Sequence, residues 1–333
     1  MILFFMGCYN SENEFQKVQV DDNTTRYILI DDGPPLSQIF RVEPIGNDSL
    51  LILDDTGQLQ LFVKNKFVRT IGTRGRGPCE YNGVRHFTFK GDSLYILDPS
   101  TTKIVYYSIN TGKCLGELIS PKLSDFSTLI RLDGVFYLLH TEYSVTTNLN
   151  KVLLFKMSDN AVMTPLGLQF SDVNPNVLLT PVRAYSLMKS KDNVIYIILP
   201  LSDKIWMYNI ESHTTNYHEL SLDGYDDLKD YKMSSNMDDL IRILDNSEAV
   251  FGLYLLENAI AVVTRTGIYP DARWKIKFYD YNGNYIGVIE TDLFVIRVMD
   301  HFFSRLTEDL DNIGALHPYI IFDQDYRISL STN

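Results

Sequence analysis

The chain has 333 residues, 45% of them hydrophobic and 12% aromatic, with a formal net charge of -12. Such material fills one large all-β domain or two smaller domains of any class, and the acidic balance argues against nucleic acid or an anionic membrane face as a general partner. No stretch is apolar for the roughly 18 or more residues that a membrane-spanning helix needs.

Residues 1–8, MILFFMGC, form an apolar run ending in Gly7-Cys8. The run looks like the last part of a bacterial lipoprotein signal, with the true start upstream, Cys8 as the lipidated residue and Tyr9 to Glu14 as a polar tether. No Lys or Arg precedes it, and Phe5 and Met6 are unusual before the cut, so a plain cytoplasmic N-terminus stays open as the other reading. Residues 1–24 are set apart on this basis from a single folded domain over 25–333.

Tyr27-Ile28-Leu29-Ile30 is strand material without a partner nearby in sequence. The stretch NDSLLILD, Asn47 to Asp54, is repeated almost residue for residue by GDSLYILD, Gly91 to Asp98. Between them, Gly72, Gly75, Gly77 and Pro78 crowd turn-formers together, which predicts an ordered connection. Val84–Phe89, Ser93–Leu97 and Lys103–Ser108 are short runs rich in β-branched and aromatic residues, parted by turn signals, and predict an antiparallel meander. Weaker copies of the unit start at Asp133, Asp192 and Glu257. Leu50, Leu94 and Val135 are 44 and 41 residues apart, whereas Val194 and Ala259 follow at 59 and 65, as units carrying insertions would. Units of about 40 to 50 residues, each a four-stranded meander, are propeller blades. A sixth fits after Phe294, with strands at Val295–Met299, Tyr319–Phe322 and Tyr326–Leu330, and Tyr27–Ile30 supplies its missing strand. The prediction is an all-β, six-bladed β-propeller of four-stranded antiparallel blades, closed by N- and C-terminal strands.

Two stretches break the rhythm. Met237, Leu240, Ile241 and Leu244 predict an amphipathic helix inserted between blades four and five within 223–246, and Phe302, Leu306, Leu310 and Ile313 predict a second over 301–313. Each has two readings, a lid over one face of the disc or packing against a blade edge.

The motif Gly75-x-Gly77-Pro78-x-Glu80-Tyr81, then an inner strand, the GDSLYILD strand and a closing Asn110-Thr111-Gly112-Lys113, resembles the NHL-like six-bladed β-propeller lipoproteins of bacteria. The resemblance spans roughly 25–330 and is most specific in blades one and two. It implies a fold and an envelope location, periplasmic or surface-exposed, with the motif residues as a structural loop; it implies no activity. Cys79 stands where that family usually has glycine, which bears on the turn, since a residue with a β-carbon resists positive φ.

Catalytic constellations are missing: there is no Gly-x-Ser-x-Gly elbow, Walker loop, HExxH or EF-hand loop. Of six scattered histidines, His86 falls near the predicted channel, where a hydrogen-bonded wall role competes with a ligand-binding one. Asp54 and Asp98 close equivalent strands, as turn-stabilising carboxylates or as metal ligands. Cys79 and Cys114 could pair if the chain is exported, but lying in different parts of a blade they are expected to be free thiols. No cofactor is expected; a Ca or Zn ion on the channel axis would instead point to a propeller-type lyase or lactonase.

Three functional classes follow: an envelope-anchored binding or scaffold module, such a metal-dependent enzyme, and a structural subunit. The first takes a partner protein or a small anionic, carbohydrate-like ligand at the channel face, as a monomer held to the membrane only by its lipid. Counting back nine residues from Leu50 and Leu94 gives Arg41 and Arg85, and Arg183 and Arg297 fall in corresponding places in blades four and six. Blades three and five have Phe126 and Val250 instead. With His86, the four arginines would form a positive mouth able to grip a carboxylate or phosphate. Pairing of each Arg with an Asp or Glu of a neighbouring blade is the equal alternative.

Overall fold

The computed structural model describes residues 17–28, 36, 39–46, 48–143, 150–169, 187–199, 202–224, 242, 245–267, 272–300, 302–308 and 319–329. Its strands assemble into six four-stranded antiparallel sheets. Blade one is Ile39–Ile45, Ser49–Asp54, Leu59–Val63 and Lys66–Thr70; blade two is His86–Lys90, Ser93–Asp98, Lys103–Ser108 and Cys114–Ile119. Blade three is Phe126–Leu132, Val135–Tyr143, Asn150–Met157 and Met163–Gln169, and blade four is Leu187–Lys191, Val194–Ile198, Lys204–Asn209 and Thr215–Glu219. Blade five is Ala249–Leu255, Ile260–Thr266, Arg273–Tyr279 and Tyr285–Thr291. Blade six takes Phe294–Val298, Phe302–Glu308 and Tyr319–Ser329, and its outer strand is Lys17–Ile28.

The second strands are apolar on both sides because each blade stands between two others. Alternate residues of a strand point to opposite faces, and here each face meets a neighbouring blade. Leu51 and Leu53 pack with Phe87, Leu94 and Val105 of blade two, while Leu50 and Ile52 pack with Ile296 of blade six. The described core falls into six such clusters, one at each junction between successive blades.

The ring closes as the sequence implies. Tyr27 lies opposite Ile321 and Ile28 opposite Ile320, and the same antiparallel ladder runs back to Lys17 opposite Ser329. The strand therefore takes in residues 17–24, which the sequence reading set outside the folded domain.

Three expectations are corrected. Phe302–Glu308 is a strand, the second of blade six, where a helix over 301–313 was predicted. A spacing of four is a multiple of both the strand period and, nearly, the helix period, so Phe302, Leu306 and Leu310 could not tell the two apart. Tyr319–Ser329 is one continuous strand instead of two. Cys79 and Cys114 form a disulfide. The loop after Ile71 doubles back, pairing Thr73-Arg74 in parallel with Glu80-Tyr81, and this fold carries Cys79 to the start of the outer strand of blade two. Most of the helix predicted within 223–246 lies outside the described residues, of which Arg242, Asp245 and Asn246 are helical. The ends of that insertion are tied together: the Glu248 N–H donates to the Asp223 carbonyl at 2.9 Å, and the Ser247 hydroxyl donates to the Gly224 carbonyl at 2.9 Å.

The loop motif satisfies itself. A β-carbon at Gly75 would sit 2.0 Å from Glu80 Oε2, so the glycine makes room for the carboxylate that accepts the Gly77 N–H at 2.8 Å. Cys79 adopts φ 58°, with its N–H donating to Glu117 Oε2 at 2.9 Å and its carbonyl accepting from the Tyr107 hydroxyl at 2.6 Å. The Lys103 ammonium donates to the Gly77 carbonyl at 2.7 Å, and the Tyr81 hydroxyl to the Ile71 carbonyl at 2.8 Å.

Candidate functional site

In blades one to four, the inner strand ends at a tight turn whose first residue has positive φ: Gly46 at 62°, Gly91 at 58°, Asp133 at 45° and Asp192 at 49°. Because strands alternate strictly, counting back from these turns finds equivalent places along the channel wall. Three residues before them stand Glu43, Thr88, Ile130 and Lys189; five before the first three stand Arg41, His86 and Thr128. A cavity of about 320 Å³ opens here, lined by inner-strand residues of blades one to four, among them Arg41, Glu43, His86, Thr88, Ile130 and Lys189.

Three of its charged groups form one constellation, while Lys90 and Arg131 of the same wall pair with Asp133 at 3.2 Å and Asp159 at 3.0 Å. Lys189 Nζ donates to both oxygens of Glu43, at 2.8 and 2.9 Å, and Arg41 donates to Glu43 Oε1 through Nε at 3.0 Å and Nη2 at 2.6 Å. Blades one and four stand opposite each other in a ring of six, so the Glu43–Lys189 bridge crosses the channel. The Arg41 guanidinium also lies over the Phe87 ring, 4.5 Å from its centre. Burial, the largest influence on Glu43, would raise its pKa, but the Lys189 and Arg41 charges outweigh it and hold the carboxyl at about 2. His86 is buried, with its Nδ1 accepting the Leu129 N–H at 3.4 Å, and its Nε2 has no hydrogen-bond partner among the described residues. Burial, together with Arg41, Lys189 and Arg85, pushes the imidazole pKa well below its usual value, so the ring is neutral near pH 7. On the blade-five side, Tyr254 donates its hydroxyl to the Ile296 carbonyl at 3.0 Å, and burial, with Glu43 nearby, pushes its phenol up.

The other residues singled out in the sequence lie elsewhere. Arg85 is exposed, one residue before the inner strand of blade two. Arg297 is buried within blade six, donating to Ser304 Oγ at 2.5 Å and to the two Asp323 oxygens at 3.2 and 2.9 Å. Arg183 and Cys8 lie outside the described residues. Counting from Leu50 and Leu94 matches Arg41 to Arg85, whereas the ladders set Arg41 opposite Leu53 and His86 opposite Leu97. The offset arises because the first hairpin turn of blade one is one residue longer than that of blade two. Counting back from Gly46 and Gly91 instead would have matched Arg41 with His86, and would have found Glu43 and Lys189.

Asp98 accepts from the Ser100 and Thr101 hydroxyls, each at 2.6 Å, and from the Asn82 N–H at 2.6 Å. Asp54 accepts from the Thr56 hydroxyl at 2.6 Å and the Gln58 N–H at 3.1 Å. Both carboxylates thus organise the turns that follow their strands. Among the described residues no group of three or more His, Cys, Asp and Glu side chains could hold a metal ion, and no helix is long and apolar enough to cross a membrane.

A family model described as 6-bladed beta-propeller matches residues 26–290. Among solved structures, a protein of Bacteroides fragilis NCTC 9343 described as exported superposes with a TM-score of 0.60 at 16% identity, over 92% of this chain and 96% of that one. The WD40 β-propeller domain of Doa1 gives 0.47 at 11% identity, over 92% and 97%, and BamB from Moraxella catarrhalis gives 0.37 at 11%, over 89% and 85%. The first likeness speaks to fold, and the other two are too distant to carry an argument. No curated protein matches the chain.

Proposed function

The chain belongs to that 6-bladed beta-propeller family, DUF5128, and we propose that it is an exported, envelope-located binding protein that takes a small anionic ligand in its channel cavity. The observation that carries this reading is the cavity itself. Arg41 and Lys189 bring two positive charges to the single carboxylate of Glu43, and His86 Nε2 lies buried beside them without a partner among the described residues, while Lys90 and Arg131 of the same wall are paired with Asp133 and Asp159. A concave site with a few convergent polar groups is where a propeller of this kind is expected to bind. Export is supported by the Cys79–Cys114 disulfide, a bond that persists in oxidising compartments, and by the exported description of the Bacteroides protein. Lipidation at Cys8 would hold the protein at the membrane.

The test is a melting-temperature screen against sugar acids, phosphates and neutral sugars, with wild type beside Arg41→Leu with Lys189→Met. A shift with anions alone, lost in the double variant, is expected; no shift with any anion, or an equal shift in both proteins, would remove the support for this reading. For the anchor, Cys8→Ser in a full-length chain should move the protein from the membrane to the soluble fraction.

A further inference from the structure

Resting on the reading that the channel cavity takes a small anion, we infer that the ligand is a carboxylic acid and that Glu43 occupies its place in the free protein. Glu43 reaches across the channel from blade one, and Lys189 of the opposite blade takes both of its oxygens at 2.8 and 2.9 Å. Viewed from the two cations, this is how a bound carboxylate is gripped. The grip is open to the cavity: the Lys189 side chain keeps 28% of its surface exposed and Arg41 keeps 18%. Arg41 also rests on the Phe87 ring, 4.5 Å from its centre, which holds its guanidinium in place independently of Glu43. The receiving groups therefore persist when Glu43 gives way.

Charge and hydrogen bonding narrow the ligand further. Of the charged residues lining the cavity, Lys90 and Arg131 are paired with Asp133 and Asp159; Arg41, Lys189 and Glu43 sum to one positive charge, and His86 is neutral, so a monoanion balances this group whereas a phosphate dianion leaves it negative. Since His86 Nδ1 accepts the Leu129 N–H, the neutral ring carries its proton on Nε2, a buried donor in want of an acceptor. An acid with a hydroxyl or ring oxygen near its carboxylate supplies that acceptor, and a sugar acid has both. The cavity, about 320 Å³, is at the small end of the ~300–1,000 Å³ usual for ligand pockets and suits a ligand of one sugar ring. Glu43 then competes with the ligand and weakens it in the wild type.

Isothermal titration of the full chain with D-glucuronate tests this, with D-glucose and inorganic phosphate as comparisons, on wild type and Glu43→Gln. Glucuronate binding that tightens about tenfold or more in Glu43→Gln, with glucose bound by neither protein, supports the inference. Equal or weaker glucuronate binding in Glu43→Gln overturns it while leaving the cavity as the binding site, and phosphate bound more tightly than glucuronate overturns the carboxylate class. If neither protein binds any of the three, the inference falls together with the reading beneath it. Should Glu43→Gln not fold, Glu43→Asp keeps the charge but shortens its reach to Lys189; it is expected to tighten glucuronate binding by a smaller factor, and unchanged or weaker binding overturns the inference.

Discussion

Glu43 is a carboxylate that burial alone would keep protonated, and the Lys189 and Arg41 charges reverse that preference, taking its pKa from 4.5 to about 2. A group whose pKa is depressed on folding contributes stability that is fully present above its unfolded pKa and is lost as pH falls through its folded one. The contribution of Glu43, about 3 kcal/mol, should thus be whole above about pH 4.5 and gone near about pH 2. Urea unfolding at about pH 6 and about pH 3 measures it: wild type should lose about 2 kcal/mol more than Glu43→Gln over that interval. Equal losses would mean that Glu43 carries no such coupling. None of this was legible locally, because Lys189 and Glu43 are 146 residues apart in sequence and neither carries a motif. Arg41 and His86 could be picked out because the repeat set the inner strands in the sequence, but the length of one turn decided which residues were equivalent.

At the scale of elements, legibility followed the repeat. Three strands of blade two and, through its near copy NDSLLILD, the second strand of blade one were read with edges close to where they fall, while the other strands of blade one and the outer strand Cys114–Ile119 were not marked. The end of the chain was read less well, since the strand Phe302–Glu308 has apolar residues at a spacing shared by both periods. The loop from Ile71 to Tyr81 was recognised as ordered, but its closure was missed: a disulfide is a contact in space, and nothing in the spacing of Cys79 and Cys114 announces that the loop turns back on blade two. The bridge spans 35 residues and ties the connection between blades one and two to an outer strand. Closing a loop of that size contributes about 2–4 kcal/mol in the chain-entropy account. Cys79→Ser with Cys114→Ser should therefore melt several degrees below wild type, by about 5 °C or more. Dithiothreitol should lower the wild type to the same point and leave the double variant alone. A wild type indifferent to reductant would show that the bridge does not form in solution.

For the molecule as a whole, the six core clusters make every blade depend on both neighbours, and blade six takes its outer strand from the start of the chain. Lys17–Ile28 does more than fill the edge of blade six. Val18 packs into the cluster between blades five and six, and its Cγ2 stands so close to Gly287 of blade five that a β-carbon there would lie 3.0 Å away. Removing the strand exposes the unpaired backbone of Tyr319–Ser329, a template for another chain, and also strips packing from the adjoining blade. A chain starting at residue 29, compared with one starting at Lys17, should melt lower by on the order of 10 °C and aggregate on heating through that free edge. The comparison isolates the strand, since both chains lack everything before it. Should the two melt together, blade six would be held without that strand, by contacts such as those of Ile296 with Ile39, Val42, Leu50 and Ile52, and closure by the terminal strand would contribute nothing to stability.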